Sequence, residues 1–139
     1  RKTYNLLIGE RTAEELKIML GSASIEKAQG SMQVRGRDMV TGLPRVVEVP
    51  AKEIAVAMSE IIHQILDAVK DVLEQTPPEI SADVIDHGIV LTGGGAMLRH
   101  LAEMISKETQ VPAFVANDPL DCVALGTGAI LANPSLMKK

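Results

Sequence analysis

The chain has 139 residues, of which 46% are hydrophobic and 23% charged, the length and composition of one ordinary globular domain, so intrinsic disorder is excluded. Fourteen Lys and Arg against 18 Asp and Glu leave a net charge of −4, which argues against a general nucleic-acid or anionic-membrane surface. No apolar run approaches the roughly 18 residues a membrane helix needs, which predicts a soluble chain.

A single cysteine, Cys122, excludes an internal disulfide, suits a reducing compartment and is expected to be a small buried hydrophobe. The chain opens at Arg1 with neither methionine nor signal sequence, and is expected to be a piece of something longer. Tyr4 and Phe114 are its aromatic residues, so the core must be aliphatic and base-stacking surfaces are essentially lacking.

In chain order, Leu6-Leu7-Ile8 running into Gly9 predicts a helix tail stopped by glycine. Thr12 and Glu15 then form a T-x-x-E capping box for a short helix with Ala13, Leu16, Met19 and Leu20 on its apolar face, ending at Gly21. Residues 22–31 read as a loop. Residues 32–49 change to a two-residue period and predict a small antiparallel sheet of two or three short strands. Gly36-Arg37-Asp38 punctuates this sheet, Met39-Val40 resumes it, and Thr41-Gly42-Leu43-Pro44 turns the chain.

Residues 53–75 predict a long amphipathic helix. Its stripe is Ile54, Met58, Ile61, Ile65, Val69 and Val72, widened by Ile62, Leu66 and Leu73, with an exposed Lys70–Glu74 pair on the polar side. A membrane-surface helix is disfavoured because that polar side is mainly acidic. Thr76-Pro77-Pro78 ends the helix. Ile89-Val90-Leu91 then reads as a strand covered on both faces. Gly93-Gly94-Gly95 leads into a helix with Met97, Leu98, Leu101, Met104 and Ile105, and residues 111–115 form the next strand. Asp118 is expected to cap a last helix, with Pro119 at its first position, running to Asn133-Pro134. This alternation predicts an α/β layer with a parallel strand pair.

The glycine triplet is the centre of chemical interest, because backbone without side chains can approach a ligand closely. It lacks the lysine and hydroxyl of a phosphate-cradling loop. A dinucleotide site using Gly93, Gly95 and Asp118 is half met, since Leu98 stands where a third glycine belongs. The plain alternative is a tight turn with no ligand. Glu14 and Lys17 are spaced either for a solvated ion pair or for a clamp beside a base or ribose. Gly126 and Gly128 inside a helix-like stretch call for a close packing partner. His63, His87 and His100 share no metal-ligand spacing, and no catalytic constellation is visible.

Several motifs carry a family likeness. Residues 4–14 (YNLLIGERTAE), 34–38 (VRGRD), 41–44 (TGLP), 76–79 (TPPE), 88–96 (GIVLTGGGA), 118–120 (DPL) and 124–128 (ALGTG) resemble, in order, those of the bacterial actin homologues MreB and Mbl. The resemblance implies the second half of an actin-like, ribonuclease H-like α/β ATPase fold with a small inserted α+β subdomain. Residues 1–21 and 76–139 would form the larger, nucleotide-binding IIA-like subdomain, and residues 22–75 the inserted IIB-like one.

It implies further that ATP lies between two domains, with magnesium held by residues of the full-length protein outside this chain. Gly93, Gly94, Gly95, Ala96 and Met97 would pass under adenine and ribose, while Glu14, Glu15, Leu16 and Lys17 border the other side. Residues 124–129 would be an interdomain helix beside the hinge, its glycines allowing a tight crossing. Filaments at the inner face of the cell membrane, organising wall synthesis and maintaining rod shape, are implied for the whole protein. Partners would be other copies, the missing N-terminal domain, the wall-synthesis machinery and a RodZ-type adaptor near residues 77–84. No nucleic acid and no direct membrane contact are expected of this part. The family's phosphate loops are not in these residues, so the chain alone is expected not to hydrolyse ATP. A nucleotide-free interaction module, built on the strands and long helix, is a further alternative.

Overall fold

A computed structural model describes residues 1–133 and Ser135. They fall into two compact units, Arg1–Ala68 and Val69–Lys139.

The first unit is built on a three-stranded antiparallel sheet in the order β1 (Leu6–Leu7), β2 (Ser31–Asp38), β3 (Pro44–Pro50). Leu6 and Leu7 are not the tail of a helix. They pair with Asp38 and Arg37, a long-range contact that outweighs local propensity. Gly36 does not punctuate β2, which runs straight through it. A Cβ there would lie 2.6 Å from the Leu7 carbonyl oxygen and 2.8 Å from the Leu6 side chain, so only glycine lets β1 lie against β2.

Helix α1 (Glu10–Leu20) starts two residues before the expected cap. Gly9, in extended backbone, occupies the N-cap position without a side-chain hydrogen bond. Thr12 therefore lies inside the helix, and Glu15 pairs with Arg11 at 3.2 Å. Gly21 closes the helix through its N–H to the Lys17 carbonyl. Leu16 and Leu20 are buried, whereas Ala13 and Met19 are exposed. Leu6, Leu16 and Leu20 share one core with Ala28, Val34, Val47, Val49, Ala51 and Ala55. Residues 1–21 thus complete the core around the β2–β3 hairpin and belong to this unit, not to the one holding residues 76–139.

Met39 and Val40 sit in the hairpin turn instead of resuming a strand. Asp38 organises that turn. Its Oδ1 accepts the Val40 and Thr41 amides at 2.8 and 3.0 Å, and its Oδ2 accepts Arg45 Nη1 at 2.8 Å. These donors, the Thr41 amide first, then the Arg45 guanidinium and the Val40 amide, hold the Asp38 carboxyl down to about 2. A depressed carboxyl pKa stabilises the fold above its ordinary value of 3.8, and that contribution is lost as pH falls toward 2. The thermal midpoint is therefore expected to fall in this window partly through Asp38. Asp38→Asn is expected to lie below wild type at neutral pH and to lose that share of the acid dependence. A variant with the wild-type acid profile would refute the role.

Helix α2 (Ala51–Glu74) buries Ala51, Ala55, Ile62 and Leu66. Its inner face is rotated from the expected stripe, for Ile61, Ile65 and Val72 are exposed. Apolar residues stand side by side at 61–62, 65–66 and 72–73, so two stripes compete. Small Ala51 and Ala55, packed with Val34, Val47 and Val49, select the second. Lys70 meets Glu108 at 2.9 Å rather than the expected Glu74.

The second unit takes the end of α2 from Val69 and continues with α3 (Pro78–His87), a helix the sequence reading did not anticipate, with Pro at its start and Gly88 at its C-cap. Strands β4 (Ile89–Leu91) and β5 (Ala113–Val115) form the expected parallel pair. Val90 and Phe114 are exposed among the described residues, so β4 is not covered on both faces. Helix α4 (Leu101–Thr109) supplies the buried Leu101 and Ile105, and Val111 and Ala96 are also buried in this unit. It does not follow the glycines directly, because a one-turn 3-10 helix and a left-handed His100 come between.

Helix α5 (Cys122–Ala132) is capped at Asp121, not Asp118, and ends at Asn133. Asp118 is left-handed at φ 47°, and the following residues turn before the helix starts. Pro134, expected at the end of this helix, lies outside the described residues. Cys122 is half-buried rather than fully so, with its thiol 3.5 Å from the Asp118 carbonyl oxygen. No residue of α5 is buried.

Candidate functional site

The sequence of β4 ends in Leu91-Thr92 and then the three glycines. Gly93 takes φ 79° and donates its N–H to the Pro119 carbonyl at 2.7 Å, which ties the turn to the loop before α5. Gly94–Met97 form the 3-10 turn, closed by Ala96 N–H to Gly93 O at 3.2 Å and Leu98 N–H to Gly95 O at 3.1 Å. Ala96 is buried and anchors the turn, while Met97 is 59% exposed.

A Cβ at Gly93 or Gly95 would meet nothing within 4 Å, and one at Gly94 would only touch Leu120 Cδ2 at 3.5 Å. Space beside Gly95 is therefore open, and main chain borders it directly. No lysine, arginine or hydroxyl stands within the turn itself at residues 93–97. Such a surface suits a flat, uncharged group such as a base or sugar better than a phosphate.

On α1, Lys17 Nζ donates to Glu14 Oε2 at 2.7 Å, with both side chains about half exposed (50% and 57%). Exposed pairs of this kind contribute about 0–1 kcal/mol, so their polar ends are available for a ligand at little cost. Glu15 is engaged with Arg11. Leu16 is buried in the core of the first unit. The structure thus gathers Gly93–Met97 in one turn and Glu14 with Lys17 on one helix, in two different units.

Other candidates resolve simply. His63 and His87 each bond through Nδ1 to a carbonyl four residues back, Ser59 O at 2.7 Å and Asp83 O at 2.9 Å. Among the described residues no group of three or more His, Cys, Asp or Glu could hold a metal, and no helix is long and apolar enough to cross a membrane. A Cβ at Gly126 or Gly128 would meet nothing within 4 Å, so no crossing helix among the described residues explains these glycines. Sequence reasoning missed one feature. A cavity of about 530 Å³ opens in the first unit, lined by Leu6, Ile8, Val34, Val47 and Ile54, with Tyr4 and Glu53 among the polar residues. The neighbouring Glu53 carboxylate holds the pKa of the Tyr4 hydroxyl above its usual value. The composition of the hairpin signals an apolar face, but not that it is left partly unfilled.

This combination of a sheet-and-helix unit with a parallel-stranded unit turning on glycines is found in actin-like proteins. MreB5 of Spiroplasma citri, solved bound to ADP, superposes with a TM-score of 0.90 at 36% identity, over 99% of this chain and 41% of that one. The MamK double helical filament shares the fold at a TM-score of 0.67 and 20% identity, over 86% of this chain and 36% of that one.

The family model described as MreB/Mbl protein matches residues 1–139, and the chain belongs to the MreB/Mbl family. It is 48% identical to the cell shape-determining protein Mbl of Bacillus subtilis over all 139 residues. It is 45% identical to the cell shape-determining protein MreB of Escherichia coli K12 over 131 residues, 94% of this chain. The chain spans 42% of the length of that Mbl and 38% of that MreB.

Proposed function

We propose that the chain is part of the second domain of a bacterial actin-like cytoskeletal protein. The whole protein would bind ATP between two domains and polymerise at the inner face of the cell membrane. Its filaments would maintain rod shape by organising wall synthesis, with a RodZ-type adaptor among its partners. Family membership across residues 1–139 carries this reading, supported by MreB5 having been solved with ADP and with AMPPNP. The second unit corresponds, in this reading, to the larger nucleotide-binding subdomain and the first to the smaller inserted one, with β1 and α1 included because they share its core.

In this reading each of the two groups of residues would meet part of an adenosine. Open main chain at Gly93, Gly94 and Gly95 would lie against the base and ribose, with Ala96 fixing the turn and Met97 at its rim. Glu14, assisted by Glu15, would accept hydrogen bonds from ribose or base, and Lys17 would orient Glu14 through their 2.7 Å bond. Leu16 would hold that helix turn in place from the core. Phosphate and magnesium contacts would come from the remainder of the full-length protein, so the chain alone is expected to bind ATP weakly and to hydrolyse none.

The test is a chimera in which this chain replaces the matching region of B. subtilis Mbl, with ATP, adenosine and NAD binding measured for the chain and the chimera. ATP binding at least tenfold tighter in the chimera, with NAD inert, is the expected result. NAD binding by the chain alone, or no nucleotide binding by the chimera, would overturn the proposal.

A further inference from the structure

A short loop holds one apolar side chain at the edge of the glycine turn. Asp118 takes φ 47°, and its carbonyl accepts the Asp121 N–H at 2.9 Å. Residues 118–121 thus form a β-turn with Pro119 and Leu120 at its central positions, and proline suits the first because its φ is fixed near the value required. The Cys122 thiol, 3.6 and 3.5 Å from the Asn117 and Asp118 carbonyl oxygens, ties the start of α5 to the same loop. The two turns are joined through main chain, the Pro119 carbonyl accepting the Gly93 N–H at 2.7 Å.

Leu120 is the side chain that this arrangement brings to the glycines. Its Cδ2 would stand 3.5 Å from a Cβ at Gly94, yet the residue is 66% exposed. Burial among the described residues therefore does not explain an apolar side chain here. Packing does not explain the glycines either, because a Cβ at Gly94 would make only an ordinary contact and one at Gly95 would meet nothing within 4 Å. A leucine the core does not use thus borders main chain left bare by glycines the fold does not need.

Such a corner suits a flat, largely apolar ring, which can lie on bare peptide and take the leucine out of water. The loop carries a carboxylate at each end, Asp118 and Asp121, a charge that repels phosphate and so favours the base end of a nucleotide. We propose that Leu120 binds the nucleotide directly, as an apolar wall against its base, and that Asp118 and Pro119 position it. The inference rests on the nucleotide site of the proposed function and adds to that site a residue from a separate loop.

The experiment uses the full-length Mbl chimera, unchanged or carrying Leu120→Ala, Leu120→Asn or Leu120→Met. Dissociation constants are measured for ATP and, by competition, for inorganic tripolyphosphate, which has no base, and circular dichroism checks that each variant folds. Leu120→Ala, and Leu120→Asn with its similar volume but polar end, are each expected to weaken ATP about five- to tenfold and to leave tripolyphosphate unchanged. Leu120→Met, still apolar and long, is expected to stay within about threefold of wild type. Unchanged ATP affinity in the Ala and Asn variants would mean that Leu120 does not meet the base. An equal loss for ATP and tripolyphosphate would mean that the change disturbs the whole cleft. Either result would overturn the proposal and leave the nucleotide reading standing. Failure of the unchanged chimera to bind any nucleotide would instead overturn the reading on which it rests.

Discussion

Gly88→Ala is expected to destabilise the second unit by about 3 kcal/mol, combining strain and overpacking. Gly88 ends α3 at φ 77° and ψ −177°, a region that is essentially reserved for glycine. A Cβ there would stand 2.6 Å from the Pro112 carbonyl oxygen and 3.1 Å from Phe114. That carbonyl accepts the Ile89 N–H at 2.7 Å and so starts the β4–β5 pairing. Relief of the clash must move β4 away from β5 or break this bond. Since β4 delivers the chain into the glycine turn, ligand binding by the chimera should weaken as well. Urea unfolding followed by circular dichroism reads the effect, and a change below about 0.5 kcal/mol, typical of a neutral surface site, would refute the argument.

Gly95→Val is expected to do the opposite, leaving the fold intact and damaging binding. Its Cβ would enter open space, and its backbone is not left-handed, so stability should change by no more than about 0.5 kcal/mol. In the Mbl chimera the added methyl groups would occupy the volume assigned to the base, and ATP affinity is expected to fall at least about tenfold. Wild-type affinity in a folded Gly95→Val chimera would mean that the nucleotide does not pass over this turn. The two glycines thus separate a structural role from a binding role within eight residues of chain.

Family membership was legible in the residues, because motifs such as GERTAE, TGLP and LTGGGA keep their order along the chain. So were the β2–β3 hairpin and the long α2, carried by hydrophobic periods of two and 3.6, and the parallel pair β4–β5, carried by short apolar runs alternating with helical segments. The Glu14–Lys17 pair followed from helical spacing. Local chemistry suffices for such features, since spacing along a helix or strand determines which neighbours can meet.

Tertiary structure decided the rest. Leu6-Leu7 became a strand because Arg37 and Asp38, some thirty residues on, offered it a ladder partner. Gly36 and Gly88 proved necessary because a distant backbone carbonyl passes within contact distance. The inner face of α2 was chosen by the sheet it packs on, between two stripes equally compatible with its period. The start of α5 moved to Cys122, while the Pro119 carbonyl accepts the Gly93 amide. In each case the deciding partner is remote in sequence. Composition and periodicity report how a segment could be buried, but only the packed chain supplies the neighbour that buries it.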